Sequence, residues 1–161
     1  MTDEPVTEPP ASGADHARPW PSPSISLIGS FRRHYDQIRA VAEFFATNGI
    51  AVPSPSISRI LDHEAGYVRF ECDPPDLSDH DIQAATLARL LASDFVYVIA
   101  PDGYIGLDTS MEIGHLLQAG VPLFFSEPLR NVTMAIGLGA VLSPAGLLVL
   151  VTRRHPEREA G

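Results

Sequence analysis

Two apolar runs of strand length, Phe95 to Ala100 and Val121 to Phe125, bracket a glycine-bearing loop and a helical stretch in the segment SDFVYVIAPDGYIGLDTSMEIGHLLQAGVPLFFS. The runs are continuous Val, Ile, Phe and Tyr rather than alternating with polar residues, which predicts strands buried on both faces of a parallel sheet. The same pattern gives a first strand at Ile25 to Ile28, a short second at Ile50 to Val52, and a last one at Leu147 to Val151 after a turn at Ser143-Pro144 and a short buried helix. Ile38, Val41 and Phe45 recur at three and four residues and predict a helix from about His34 to Asn48, stopped by Asn48-Gly49. An Ala- and Leu-rich helix is expected over Ile82 to Ala92, and another beyond Thr109 with Glu112 in its first turn. The expected architecture is α/β: a flavodoxin-like or Rossmann-like three-layer sandwich around a parallel sheet of about five strands.

Ser54 to Asp81 shows no sustained period and carries Pro74-Pro75, Gly66 and many acids; a loop this long in a compact domain is usually a binding loop or lid. His63 and Tyr67 lie within it. Asp73, Asp76, Asp79, His80 and Asp81 lack the glycine and terminal glutamate of a calcium loop and suggest a solvated acidic face, with Asp79 as a helix cap, so no metal is expected. Asn131 to Thr152 contains no charged residue, yet Gly137, Gly139, Pro144 and Gly146 interrupt it, which favours buried elements over a membrane span. Residues 1 to 24 hold six prolines among small and acidic residues and predict a disordered tail, with Trp20 its one large aromatic; residues 25 to 155 form the domain.

Composition narrows the function. The formal charge of −9 argues against a nucleic-acid backbone or an anionic membrane and favours a small-molecule partner. All eleven basic residues are arginine, which excludes a Schiff-base lysine and a GxxxxGK phosphate loop. No cofactor is expected: GxGxxG is absent after the first strand, and Gly103-x-x-Gly106 is too short to replace it. The single Cys72 and the lack of a basic-then-apolar leader predict the cytoplasm.

Ligands in such sheets gather at the carboxyl ends of the strands. There the chain places Gly29, Ser30, Phe31 and Arg32 after the first strand, and Asp102, Gly103, Tyr104, Gly106, Asp108, Ser110 and Glu112 after the later one. A glycine, a serine and free N–H groups at a helix start suit an anion that Arg32 or Arg33 would complete; a tight turn with solvated arginines is the alternative. Glu112 either complements its helix dipole or is a functional carboxylate.

The segments ISLIGSF and SDFVYVIAPDGYIGLDTSMEIGHLLQAGVPLFFSE resemble the nucleoside 2-deoxyribosyltransferase-like superfamily, which includes the 2'-deoxynucleoside 5'-monophosphate N-hydrolases; the resemblance covers roughly Ile25 to Glu127. It implies an N-glycosidase or base-exchanging transferase, usually homo-oligomeric. Glu112 would be the nucleophile, Tyr104 would orient it, and Gly29, Ser30, Arg32 and Ser110 would bind the sugar and 5'-phosphate. The chain departs from the family where members carry an aspartate eight residues before Asp94: Thr86 stands there, leaving Asp102 and Asp108 as proton donors to the base. A nucleotide-binding module without catalysis is the other reading.

Overall fold

The computed structural model describes residues 20–56, 58–62, 67–134, 137 and 140–154. Three parallel strands, β1 (Ile25–Gly29), β4 (Phe95–Ile99) and β5 (Leu123–Phe125), form the main sheet in the order β1-β4-β5. Ile25 faces Phe95 and Gly29 faces Ile99, while Val96 to Val98 pair with Leu123 to Phe125. The sheet thus has three strands rather than five. The expected second strand contributes a single bridge, Ala51 to Ser24, beside β1, and Val141 makes another to Phe125 beside β5. Pro53 and Pro55 remove the donors a longer edge ladder would need.

Side chains of β1 and β4 point alternately to two buried clusters, which is why the strands read as unbroken apolar runs. Ile25, Leu27, Phe95, Tyr97 and Ile99 meet Ile38, Ala42 and Phe45 of α1 (Phe31–Thr47) and Leu147 and Val151 of α4 (Pro144–Arg154). Ile28, Val96 and Val98 meet Leu90 of α2 (Asp79–Ala92) and Ile113 and Leu116 of α3 (Leu107–Ala119) on the opposite face. Helices therefore cover both faces, giving three layers. Tyr97 is fully buried and satisfies its hydroxyl on the Leu142 carbonyl at 2.6 Å.

Leu147 to Val151 is part of a helix, not a last strand. Ser143 caps it, its Oγ accepting from Gly146 N at 3.1 Å; Pro144 takes the first helical position, and Arg153 and Arg154 close the last turn. Leu147 and Val151, four apart, supply the buried stripe. Ahead of Ser143, where a short buried helix is expected, residues 131–134, 137 and 140–142 are not α-helical, and residues 135, 136, 138 and 139 lie outside the described residues.

Both early helices begin sooner than their periodicity indicates: α1 starts at Phe31 and α2 at Asp79. Ser78, not Asp79, caps α2, accepting from Asp81 N at 3.2 Å. Asp79 instead pairs with Arg69 at 2.6 Å, beside an antiparallel ribbon of β2 (Ile60–Asp62) and β3 (Arg69–Phe70) inside the segment expected to lack regular structure. An ion pair of 3.7 Å between Arg59 and Glu71 flanks the ribbon.

The described part of the amino-terminal segment is docked. Ser24 is fully buried; its N–H and hydroxyl both donate to Asp94 Oδ2, at 2.9 and 3.1 Å, and Asp94 N donates back to Ser24 Oγ at 3.0 Å. Residues 1–19 lie outside the described residues. Among the described residues, no helix is long and apolar enough to cross a membrane.

At the sheet's carboxyl edge, a Cβ added to Gly29 would stand 2.6 Å from the Ile99 carbonyl oxygen and 3.1 Å from Ile38 Cδ1. The neighbour at 2.6 Å is backbone and cannot yield cheaply. Gly29→Ala is therefore expected to destabilise the fold by about 1–3 kcal/mol, read as a lowered midpoint in thermal or denaturant unfolding.

Candidate functional site

A cavity of about 430 Å³ opens at the carboxyl edge of the sheet, within the range of small-molecule sites. The tip of β1 contributes Gly29 and Ser30, and the first turn of α1 adds Phe31, Arg32 and Arg33. Ser30 makes no side-chain cap bond and α1 has no acid in its first turn, so the positive end of this helix is not offset by an acid of its own. The loop after the β1-edge bridge supplies Ser54 to Ser56, and the ribbon segment supplies Tyr67, Phe70, Cys72 and Asp73. Ile82, Thr86 and Arg89 line the cavity from α2, four and three residues apart on one helical face.

Packed beside α2 on the same face of the sheet stands α3. Gly106 is its N-cap, so the helix begins at Leu107 and its first-turn acid is Asp108; Glu112 lies one turn deeper than expected. The helix end therefore does not hold Glu112 ionised. Burial, and secondarily the charge of Asp108 four residues earlier, push Glu112 from the ordinary 4.5 up to about 7. A carboxyl group in that range is near half ionised at neutral pH, where it serves as nucleophile or as general acid and base.

Tyr104, Gly106, Asp108 and Glu112 all line the cavity, as do Gly29 to Arg32. The loop carrying Tyr104 is pinned from outside: Asp102 and Gly103 adopt φ of 57° and 72°, and a Cβ on Gly103 would approach the Pro128 carbonyl to 2.5 Å. Asn131 brackets the next residue, accepting from Ile105 N at 3.0 Å and donating to Ile105 O at 2.8 Å. Asp102, Gly103 and Ser110 are not in the cavity wall. Asp102 and Gly103 shape the loop, and Ser110 Oγ donates back to the Gly106 and Leu107 carbonyls at 2.9 Å each.

Tyr104 carries the Arg33 guanidinium over its ring, 3.9 Å from the centroid, and meets the His34 ring at 6.4 Å. Among the described residues no hydrogen bond joins Tyr104 to Glu112. The phenol that senses Glu112 is Tyr67: burial foremost, with the charges of Asp73, Glu112 and Asp108, raises its pKa.

Tyr67, Thr86 and Arg89 were not identified as site residues from the sequence. Tyr67 belongs to the long loop marked as a binding element, so its region was signalled though its role was not. Thr86 and Arg89 share a helical face with Ile82, but nothing in an Ala- and Leu-rich helix says that this face borders a cavity. Compared with protein-family models, curated proteins and solved structures, the chain matches none.

Ionised Glu112 is disfavoured by its surroundings, and this fixes a pH dependence. A folded-state pKa near 7 against 4.5 means that folding opposes ionisation: the cost is absent below about 4.5, grows between the two values, and is complete above about 7. Glu112→Gln removes it. The variant is expected to be more stable than wild type by about 1–3 kcal/mol at pH 8 and little changed at pH 4.5, measured as denaturant midpoints at the two pH values.

Proposed function

We propose that the chain is a nucleoside 5'-monophosphate N-glycosidase, hydrolysing the bond between base and sugar through Glu112, with base-exchanging transfer as the second activity of the same intermediate. The supporting observation is the cavity itself: it sets a half-buried carboxylate of α3 across from the open amino end of α1 with its two arginines. N-glycoside cleavage needs that pairing of parts. The sugar develops oxocarbenium character that a carboxylate stabilises or captures, while the phosphate is held by backbone N–H groups and guanidinium.

The ionised form of Glu112 attacks or supports the anomeric carbon; the 5'-phosphate lies at Ser30 to Arg33, and Asp108 stands exposed in the cavity wall one turn before Glu112. An exposed, unpaired Cys72 fits a reducing compartment, and we place the enzyme in the cytoplasm. A homo-oligomer would find exposed apolar residues at Val149 in the C-terminal run, whose Leu147 and Val151 lie in the chain's own core, and at Leu107, Met111 and Leu117 on α3.

Glu112→Gln should fold, bind a nucleoside monophosphate about as well as wild type, and lose about three or more orders of magnitude in base release. Wild-type kcat/KM should climb as pH rises through about 7, because the ionised carboxylate is the active form. Arg32→Ala should weaken a monophosphate about tenfold or more and its nucleoside little. Equal losses on both ligands would remove the phosphate assignment, and nucleotide binding without base release from any monophosphate would make the protein a binding module.

A further inference from the structure

Arg89 lines the cavity from α2 and, among the described residues, commits one donor to a protein acceptor. A guanidinium has five N–H donors and no acceptor. Here Nη2 donates to Thr86 Oγ1 at 3.0 Å, while the Nε–H is shut off from solvent without a partner. Among the described residues no carboxylate stands within ion-pair distance of Arg89. A buried, unmatched donor costs about 1–3 kcal/mol, so a cation in this state in a cavity wall is poised for an acceptor brought by a ligand.

The neighbourhood says where on the ligand that acceptor sits. Arg89 bonds Thr86 on α2, the helix packed beside α3, and both residues line the cavity together with Asp108 and Glu112 of α3. Arg89 thus belongs to the α2–α3 side of the cavity, whereas the phosphate site at Ser30 to Arg33 is built from other elements. With the sugar at Glu112 and the phosphate at α1, the remaining part of a nucleotide is its base.

The geometry points to Arg89, held by Thr86, as the residue that reads the nucleobase: it takes a ring oxo group and discriminates against a ring amino group. The inference rests on the nucleotide reading of the cavity. Its chemistry follows from the donor set, since an exocyclic oxygen accepts from the guanidinium whereas an amino group would set donor against donor. The same contact serves cleavage. As the bond from the anomeric carbon to the base nitrogen breaks, its electron pair passes to the base and spreads onto the oxo group, where the guanidinium balances the charge. Water then supplies hydroxide to the anomeric carbon, and its proton goes to the departed base through solvent. Stabilising the departing anion in this way fills the role left open where Thr86 stands in place of an acid.

The 5'-monophosphates of hypoxanthine and adenine differ at position 6 as oxo against amino, and those of uracil and cytosine differ likewise at position 4. The test measures binding of each pair, in ribose and deoxyribose forms, to the full-length protein, together with release of free base. Wild type should favour the oxo member by about five- to a hundred-fold, the discrimination typical of an arginine reading a base edge. Arg89→Met should bring that ratio close to one while leaving the amino member's affinity within about twofold of wild type. Thr86→Val, which removes the acceptor that holds Nη2, should reduce the ratio part of the way. Equal wild-type affinity within the pairs overturns the inference, as does a folded Arg89→Met with an unchanged ratio, and binding of none of these nucleotides overturns it together with the reading beneath it. An oxo preference that depends on Arg89 without any base release upholds the recognition while refuting the glycosidase, so the two fail separately.

Discussion

The carboxyl edge of the sheet depends on one close approach, that of the β1 tip to the Ile99 carbonyl, into which no Cβ fits. Because β1 and β4 are parallel and in register to their last pair, Gly29 and Ile99 end together, and the chain leaves each strand over the same patch of the molecule. Ser30 and α1 follow from one exit; Tyr104 and α3 follow from the other. The site is made of what comes directly after these two strands, so its dimensions are those of the sheet edge. Packing below it is complete on both faces, and the position of the edge is therefore not adjustable.

The electrostatics of the cavity follow from helix ends. The first turn of α1 offers N–H groups without a capping side chain, next to two arginines; α3 begins at a glycine and carries Asp108 where its dipole favours an anion. Glu112, a turn farther in, gains little from that dipole and loses hydration. Two carboxylates four residues apart thus occupy different environments, one exposed and one half-buried. The burial that raises Glu112 is a cost in fold stability accepted at the place where chemistry is expected.

Much of this architecture was legible because the strands are buried on both sides and the helices carry one apolar stripe. Phe95 to Ile99 reads as a central strand in any window, and Ile38 and Phe45 mark the inner face of α1. The last element was misjudged because a short run of Leu and Val suits a buried strand as well as a buried helix; the deciding signal was Ser143-Pro144, which is a cap and first-turn pair as readily as a turn. The expected second strand shrank to a bridge because Pro53 and Pro55, just after Ala51, supply no donors. Gly29 to Arg32 and Glu112 could be found because they sit at strand exits. Thr86, Arg89 and Tyr67 could not, since their proximity is created by a helix and a ribbon segment distant in the chain that line one cavity, and leaves no spacing to recognise.

The cavity has two kinds of wall. One is backbone locked to the sheet, and the other is the ribbon segment of Tyr67, Phe70 and Asp73, flanked by the solvent-facing pair Arg59 with Glu71 and the half-buried pair Arg69 with Asp79. Surface pairs of this kind weaken as the Debye length contracts with added electrolyte, whereas apolar packing does not. Ionic strength thus acts on the pairs that flank the ribbon and spares the apolar packing that holds the edge of the sheet.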